Sequence, residues 1–253
     1  MTLGGDGRVM STAIVTGSSR GIGRAVALRF ARDGYDVCVN YVESDAAAES
    51  VAETVRETGQ RAVVVGADVG DFEAATDLVE TTVEELGDLT HLVNNAGIDQ
   101  HVHTADLDPA DFDRVMDTNV NGAFNVTKAA LPALRDAEGS ATPSITNVSS
   151  ILAFTGAPIE CHYAASKAGL LGLTRSHARD FAPEVRVNAI APGHVETDMT
   201  ADRTPEQEAN ERAAIPLGRF GRPSEIAEAA AYLRDASFVT GETLNVNGGE
   251  LMR

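Results

Sequence analysis

Thr16-Gly17-Ser18-Ser19-Arg20-Gly21-Ile22-Gly23 follows on the apolar run Ala13–Thr16 and opens into a helical pattern that begins near Gly21. Glycines at a strand-to-helix junction let the main chain turn sharply and come close to a diphosphate. The helix start adds unpaired N–H groups and a partial positive charge. A tight βα turn alone asks for much the same residues, so the surroundings must decide. Six further short runs follow, at Val37–Tyr41, Ala62–Val65, Leu92–Asn94, Ile145–Val148, Val187–Ile190 and Leu244–Val246. They have strand length and β-branched content, and the segments between them carry apolar stripes of helical period, such as Val26 and Phe30, then Ala47, Val51 and Val55. Alternation of this kind predicts an α/β chain with a Rossmann-type, doubly wound parallel sheet of about seven strands and helices on both faces.

With 253 residues, 43% of them hydrophobic, the chain is long enough for one sizeable core. Residues 1–10 are Gly-rich and read as a flexible leader, with Met10 an alternative start, and residues 11–253 as a single domain. No apolar stretch has the length of a bilayer span or the form of a signal peptide, which points to a soluble, cytoplasmic protein. Cys38 and Cys161 stand apart, so neither a disulfide framework nor a metal site is expected. Formal charge is −18, and of the 20 basic residues only Lys128 and Lys167 are lysines. Without a basic block, binding to nucleic acid or to a membrane surface is not expected. A high-salt cytoplasm and arginine-rich coding explain the scarcity of lysine equally well.

The glycine spacing is Gly-x-x-x-Gly-x-Gly. Asn94-Asn95-Ala96-Gly97 follows the fourth strand, and Ser150, the pair Tyr163-x-x-x-Lys167 and Pro192-Gly193 come after it in that order. Over about residues 12–249 this set resembles the short-chain dehydrogenase/reductase family. Ala191-Pro192-Gly193-His194-Val195-Glu196-Thr197-Asp198-Met199-Thr200 and Ile215-Pro216-Leu217-Gly218-Arg219-Phe220-Gly221-Arg222-Pro223 are most similar to its 3-oxoacyl (β-ketoacyl) reductases. The resemblance implies a nicotinamide dinucleotide on the loop of Gly17, Ser19, Arg20, Gly21, Ile22 and Gly23. It implies an adenine bordered by Asp68 and Val69, with contacts from Asn95 and from the Ala96 and Gly97 main chain. Pro192, Gly193, Val195 and Thr197 fall on the nicotinamide side, and residues 197–214 correspond to a substrate lid, whose helix starts at Thr204-Pro205-Glu206. Asp68 also reads as a helix N-cap.

Cofactor choice follows from charge. NAD sites usually carry a carboxylate after the second strand, which would repel the additional phosphate of NADP. Here that strand ends Val39-Asn40-Tyr41, placing the neutral residues Asn40 and Tyr41 at the adenosine ribose, and Arg20 offers a guanidinium to the phosphate. NADP(H) is favoured. Glu43 close by keeps NAD(H) open, and a solvent-facing Arg20 is the plainer alternative.

Reduction of a ketone leaves negative charge on oxygen, which calls for a proton donor and for groups that hold the carbonyl. Tyr163 and Lys167, four apart at the start of an Ala-rich helix, share one face. Considered alone the pair is a common surface arrangement, yet Lys167 is one of two lysines in an arginine-using chain, which suits a compact, tunable ammonium. An exposed tyrosine titrates near ~10; a neighbouring ammonium favours the phenolate, and a fall of about three units would correspond to ~4 kcal/mol. The resemblance also gives Tyr163 and Lys167 the nicotinamide ribose to bind, and gives Asn119 a water-mediated relay to Lys167. Ser150 lies at the family's separation from Tyr163 and suits a hydrogen bond to the substrate oxygen; Ser149 competes, with strand-end capping as its alternative. Asn119 falls mid-helix, where asparagine is unfavourable, and Asn121 reads as structural. Cys161 and His162 lack a triad partner and read as pocket lining.

The activity implied is interconversion of a ketone and a secondary alcohol, with a 3-oxoacyl thioester as leading substrate. A sugar, polyol or xenobiotic carbonyl is the alternative on the same scaffold, and a nucleotide-sensing regulatory protein the alternative without catalysis. Helical segments around Phe124–Leu134 and Tyr163–Phe181, with Phe238–Gly249, resemble the family's subunit contacts and imply a homotetramer. The acidic composition disfavours an acidic carrier protein as the source of the acyl group. Residues Asp180 to Val185 and Ser140 to Pro143 lack the basic side chains that would steer one, so a coenzyme A thioester or a small ketone is preferred.

Overall fold

A computed structural model describes residues 11–138, 142–197 and 204–252. The expected leader, Ser140 and Ala141, and residues 198–203 of the expected lid lie outside the described residues. In chain order the elements are β1 (Thr12–Val15), α1 (Gly21–Arg32), β2 (Asp36–Tyr41), α2 (Asp45–Glu57), β3 (Ala62–Gly66), α3 (Phe72–Leu86), β4 (Leu89–Asn94) and α4 (Pro109–Met116). A π-turn (Asp117–Asn121) joins α4 to α5 (Gly122–Asp136). There follow β5 (Ser144–Val148), α6 (Leu152–Thr155), α7 (Cys161–Asp180), β6 (Arg186–Pro192), α8 (Pro205–Ala214), α9 (Pro223–Asp235) and β7 (Thr243–Val246).

The seven strands form one sheet in the order β3-β2-β1-β4-β5-β6-β7, every neighbouring pair parallel. Each apolar run read from the sequence is a strand, and the doubly wound class holds. Alternate residues of a strand feed opposite faces. Ala13 and Val15 of β1 pack with Val26, Phe30, Val51 and Ile226 of α1, α2 and α9, while Ile14 between them packs with Leu78, Val126 and Leu134 of α3 and α5. Strand order reverses between β1 and β4, so the loops leaving their carboxyl ends diverge and open a crevice there.

Helix starts explain where the sequence was right and where it was not. Thr204 caps α8 in a reciprocal box with Gln207, as Thr204-Pro205-Glu206 suggested. Asp68, read as an N-cap, does not cap: Asp71 accepts from the Ala74 N–H at the start of α3, and Asp68 instead accepts from Gly70. Asn119 does not sit in a regular α-helix either. It lies in the π-turn, whose wider winding accommodates a residue that α-helix disfavours. None of the side chains of α8 is buried. The helix is tied down by polar contacts, with the Arg212 guanidinium 5.1 Å from the centre of the Phe220 ring and 3.9 Å from Glu196. No helix among the described residues is long and apolar enough to cross a membrane.

Candidate active site

The glycine loop leaves β1 at the strand-order reversal, and its shape is held by side chains from three strands. Thr16 Oγ1 accepts from the N–H groups of Asn95 and Ala96, each at 3.0 Å, joining the loop to the segment after β4. Asn95 Nδ2 donates to the carbonyls of Thr16 and Gly17. From β2, Asn40 Oδ1 accepts from the Gly17 N–H at 3.0 Å, while its Nδ2 donates to the carbonyls of Val65 and Ala67. The Asn40 side chain, expected at the adenosine ribose, is buried and braces the loop. The nearby Asp45 carboxylate raises the pKa of the Tyr41 hydroxyl.

These braces present the start of α1 as an anion cradle. Asp71, Asp108 and Thr204 cap their helices with side-chain oxygens, but α1 has no side-chain cap and no acidic residue in its first turn. Its N–H groups thus face the crevice without a competing carboxylate, the arrangement that suits a diphosphate. Gly21 adopts φ +56°, a conformation L side chains rarely adopt, and lies beneath Thr197. Arg20 is exposed at the rim of the loop, beside Ser19 and Ile22. Val69 is buried against Gly122, and Asp68 is exposed. Pro192 ends β6, Gly193 follows, and the buried Val195 bridges to Gly221.

Along the same edge, β5 runs into Ser149 and Ser150, and the first turn of α7 carries Tyr163. Ser150 Oγ accepts from the Leu152 N–H at 3.1 Å, and its hydroxyl is near enough to Tyr163 to lower the tyrosine pKa. Ser149, the competing candidate, donates to the Lys167 carbonyl at 2.8 Å and is buried. One turn on from Tyr163, Lys167 Nζ lies 5.4 Å from the centre of the tyrosine ring and donates to the Val148 carbonyl at 2.9 Å. A side chain at Gly97 would put its Cβ 3.2 Å from both Lys167 Nζ and Asn119 Oδ1, so glycine is what lets the β4 loop approach. Asn119 spends its amide on the Ile98 N–H and carbonyl and on Ser166 Oγ.

Electrostatics at the tyrosine run against the expectation of a lowered pKa. Burial pushes the Tyr163 hydroxyl up, the Asp99 and Glu160 carboxylates push it further, and the neighbouring Ser150 hydroxyl opposes them. Burial also pushes the Lys167 ammonium down, to about 8. Asp99 and Glu160 are the site residues that the sequence reading missed. Asp99 stands two residues after Gly97 and Glu160 three before Tyr163, a proximity to two motifs that was visible, though their convergence required the fold.

Comparison with known proteins agrees with this geometry. The family profile described as enoyl-(acyl carrier protein) reductase matches residues 17–250. The 3-oxoacyl-[acyl-carrier-protein] reductase of Staphylococcus aureus (strain Mu50) is 39% identical over 249 residues, 97% of this chain and 100% of that protein. The Staphylococcus epidermidis protein of the same description is 38% identical over 245 residues, 95% of this chain and 99% of its own. Among solved structures, a dehydrogenase/reductase from Sinorhizobium meliloti superposes with a TM-score of 0.89 at 38% identity, covering 96% of this chain and 95% of that one. A short-chain dehydrogenase/reductase from Brucella melitensis, described as glucose/ribitol dehydrogenase, gives 0.89 at 34% identity, covering 97% and 98%. The chain therefore belongs to the short-chain dehydrogenase/reductase family, whose members are oxidoreductases acting on CH–OH groups.

Proposed function

We propose that this protein is an NADP(H)-dependent reductase of 3-oxoacyl thioesters, with Tyr163 as proton donor, Ser150 as the second hydrogen bond to the reacting oxygen and Lys167 as the charge that holds both in order. The observation that carries the reading is Lys167 Nζ 5.4 Å from the Tyr163 ring centre, with Ser150 beside the tyrosine, at the strand edge that also presents the uncapped start of α1.

A bound nicotinamide dinucleotide would supply the hydride. The chain's own residues do the rest. Ser150 and Tyr163 offer hydroxyls to one carbonyl oxygen and stabilise the charge that grows on it. Because burial and two carboxylates raise its pKa, Tyr163 stays protonated through neutral pH and serves as an acid, which favours reduction over oxidation there. Lys167, pushed down to about 8, is still mostly charged at pH 7 and places its ammonium where phenolate charge would form after the proton leaves. Both amide atoms of Asn119 are engaged, so any proton relay through that residue uses its main chain.

NADP(H) is supported by the exposed Arg20 at the loop rim and by the absence of a carboxylate at Asn40 and Tyr41. The relatives named for carrier-protein substrates support a thioester, while the −18 charge supports delivery on coenzyme A over an acidic carrier. A homotetramer formed in the cytoplasm completes the reading, and the exposed aromatics Phe124 and Phe238 supply apolar surface for the contacts. One observation favours sugars or polyols instead: Asp99 and Glu160 beside Tyr163 are acceptors suited to hydroxyl donors. NADPH oxidation with acetoacetyl-coenzyme A, acetoacetyl-carrier protein and a panel of keto sugars separates these readings. Turnover confined to the sugars would overturn the thioester assignment, and turnover with none would overturn the enzymatic one.

A further inference from the structure

We propose that Asp99, His101 and Glu160 form a site for a divalent transition-metal ion of the zinc class at the mouth of the active site. One donor atom from each residue lies within 4.8 Å of the other two. His101 Nε2 is 3.4 Å from Asp99 Oδ2 and 3.2 Å from Glu160 Oε1. Two ligands bound to zinc at roughly 2.0 to 2.1 Å and at a tetrahedral angle stand about 3.3 to 3.4 Å apart, so these separations are already those of a coordination edge.

The donor set selects the ion. One imidazole with two carboxylates suits zinc, cobalt or manganese; magnesium and calcium prefer oxygen throughout. A neutral imidazole and two carboxylates carry two negative charges, which a dication balances. The arrangement is also held in place. Asp99 Oδ1 accepts from the Gln100 N–H at 2.7 Å, leaving Oδ2 directed to His101, and the Val102 N–H donates to the Ile159 carbonyl at 2.8 Å, stitching the loop after β4 to the segment before α7. The carboxylate side chains are only 10% and 17% exposed whereas His101 is 62% exposed, so the imidazole closes an otherwise inward-facing pair from the solvent side. The three ligands come from two segments without motif spacing, so the residue pattern alone does not mark them.

Occupancy would cross-link those two segments beside Tyr163 and cancel the negative charge that faces it. The test uses the full chain without an affinity tag and without cofactor, so it is independent of the proposed reduction. Zinc titration by calorimetry, and cobalt titration followed by visible absorption, should show one saturable equivalent of micromolar affinity with the intense bands of a four-coordinate cobalt ion. Zinc should raise the melting temperature by several degrees, while magnesium should not. His101→Ala and Glu160→Gln, whose folding is checked by their metal-free melting temperatures, should each weaken binding at least tenfold. Absence of a saturable equivalent at millimolar zinc, with His101 serving as a counter-ion only, would overturn the proposal. So would equal affinity in wild type and both variants.

Discussion

Asn40 and Gly17, 23 residues apart in the chain, are joined by a 3.0 Å hydrogen bond from the Gly17 N–H to the asparagine side-chain oxygen, and the same side chain donates to the ends of β3. One amide thus fixes both the glycine loop and the neighbouring strand. Asn40→Ala leaves buried main-chain groups without partners and should cost about 2 to 4 kcal/mol in urea unfolding. NADPH affinity, followed by fluorescence titration, should fall as well because the loop loses its brace.

Removing the Tyr163 hydroxyl tests the chemistry. Tyr163→Phe should lower kcat by roughly a thousandfold or more, while the Kd for NADPH stays within about twofold of wild type. Near-normal turnover in steady-state assays would remove Tyr163 from the mechanism.

Arg20 tests the choice of dinucleotide. Loss of a charge-assisted contact to the additional phosphate should weaken NADPH by about tenfold or more in Arg20→Ala and leave NADH nearly unchanged. Equal weakening of both in direct titrations would show that Arg20 does not read the phosphate.

Lys167 gives a pH dependence with a definite sign. Its folded pKa of about 8 lies below the ~10.4 of an exposed lysine, so between these values the unfolded chain binds more protons and stability rises with pH. Below pH 8 the cost of burying the ammonium is fully present. Lys167→Met removes this dependence, along with a pH-independent contribution from the bond to the Val148 carbonyl. The stability difference should therefore shift by roughly 2 kcal/mol in favour of wild type between pH 7 and pH 10. Urea unfolding of both proteins without cofactor measures it, and a difference that does not change with pH would show that Lys167 is not desolvated.

Assembly is tested by light scattering. The protein should elute with four times the 26.5 kDa chain mass, and Phe124→Asp should shift it toward smaller species. A wild-type chain that stays at 26.5 kDa would contradict the tetramer.

The sheet was legible because the five inner strands, buried on both faces, read as short β-branched runs, and the glycine loop marks where the first of them ends. Tyr163 and Lys167 were legible because both lie on one helix at a spacing that fixes their shared face. Three features were not. Asn40 looks from the sequence like an end-of-strand polar residue, and only the position of Gly17 reveals where its amide points. The π-turn at Asn119 has no composition that separates it from an α-helix carrying an unfavourable residue. Asp99 reaches Tyr163 across the fold and joins Glu160 of the same helix start, so the direction of the tyrosine pKa depends on distances that neither local pattern nor spacing contains.

The absence of any buried side chain in α8 bears on how such a protein changes over generations. A helix that contributes nothing to the core can accept almost any solvent-compatible residue without lowering the stability of the sheet beneath it. The bonds that brace the glycine loop join β2 and the loops after β1 and β4, and none of them involves α8. Substitutions can therefore accumulate in this segment by drift, with folding and the braced glycine loop untouched.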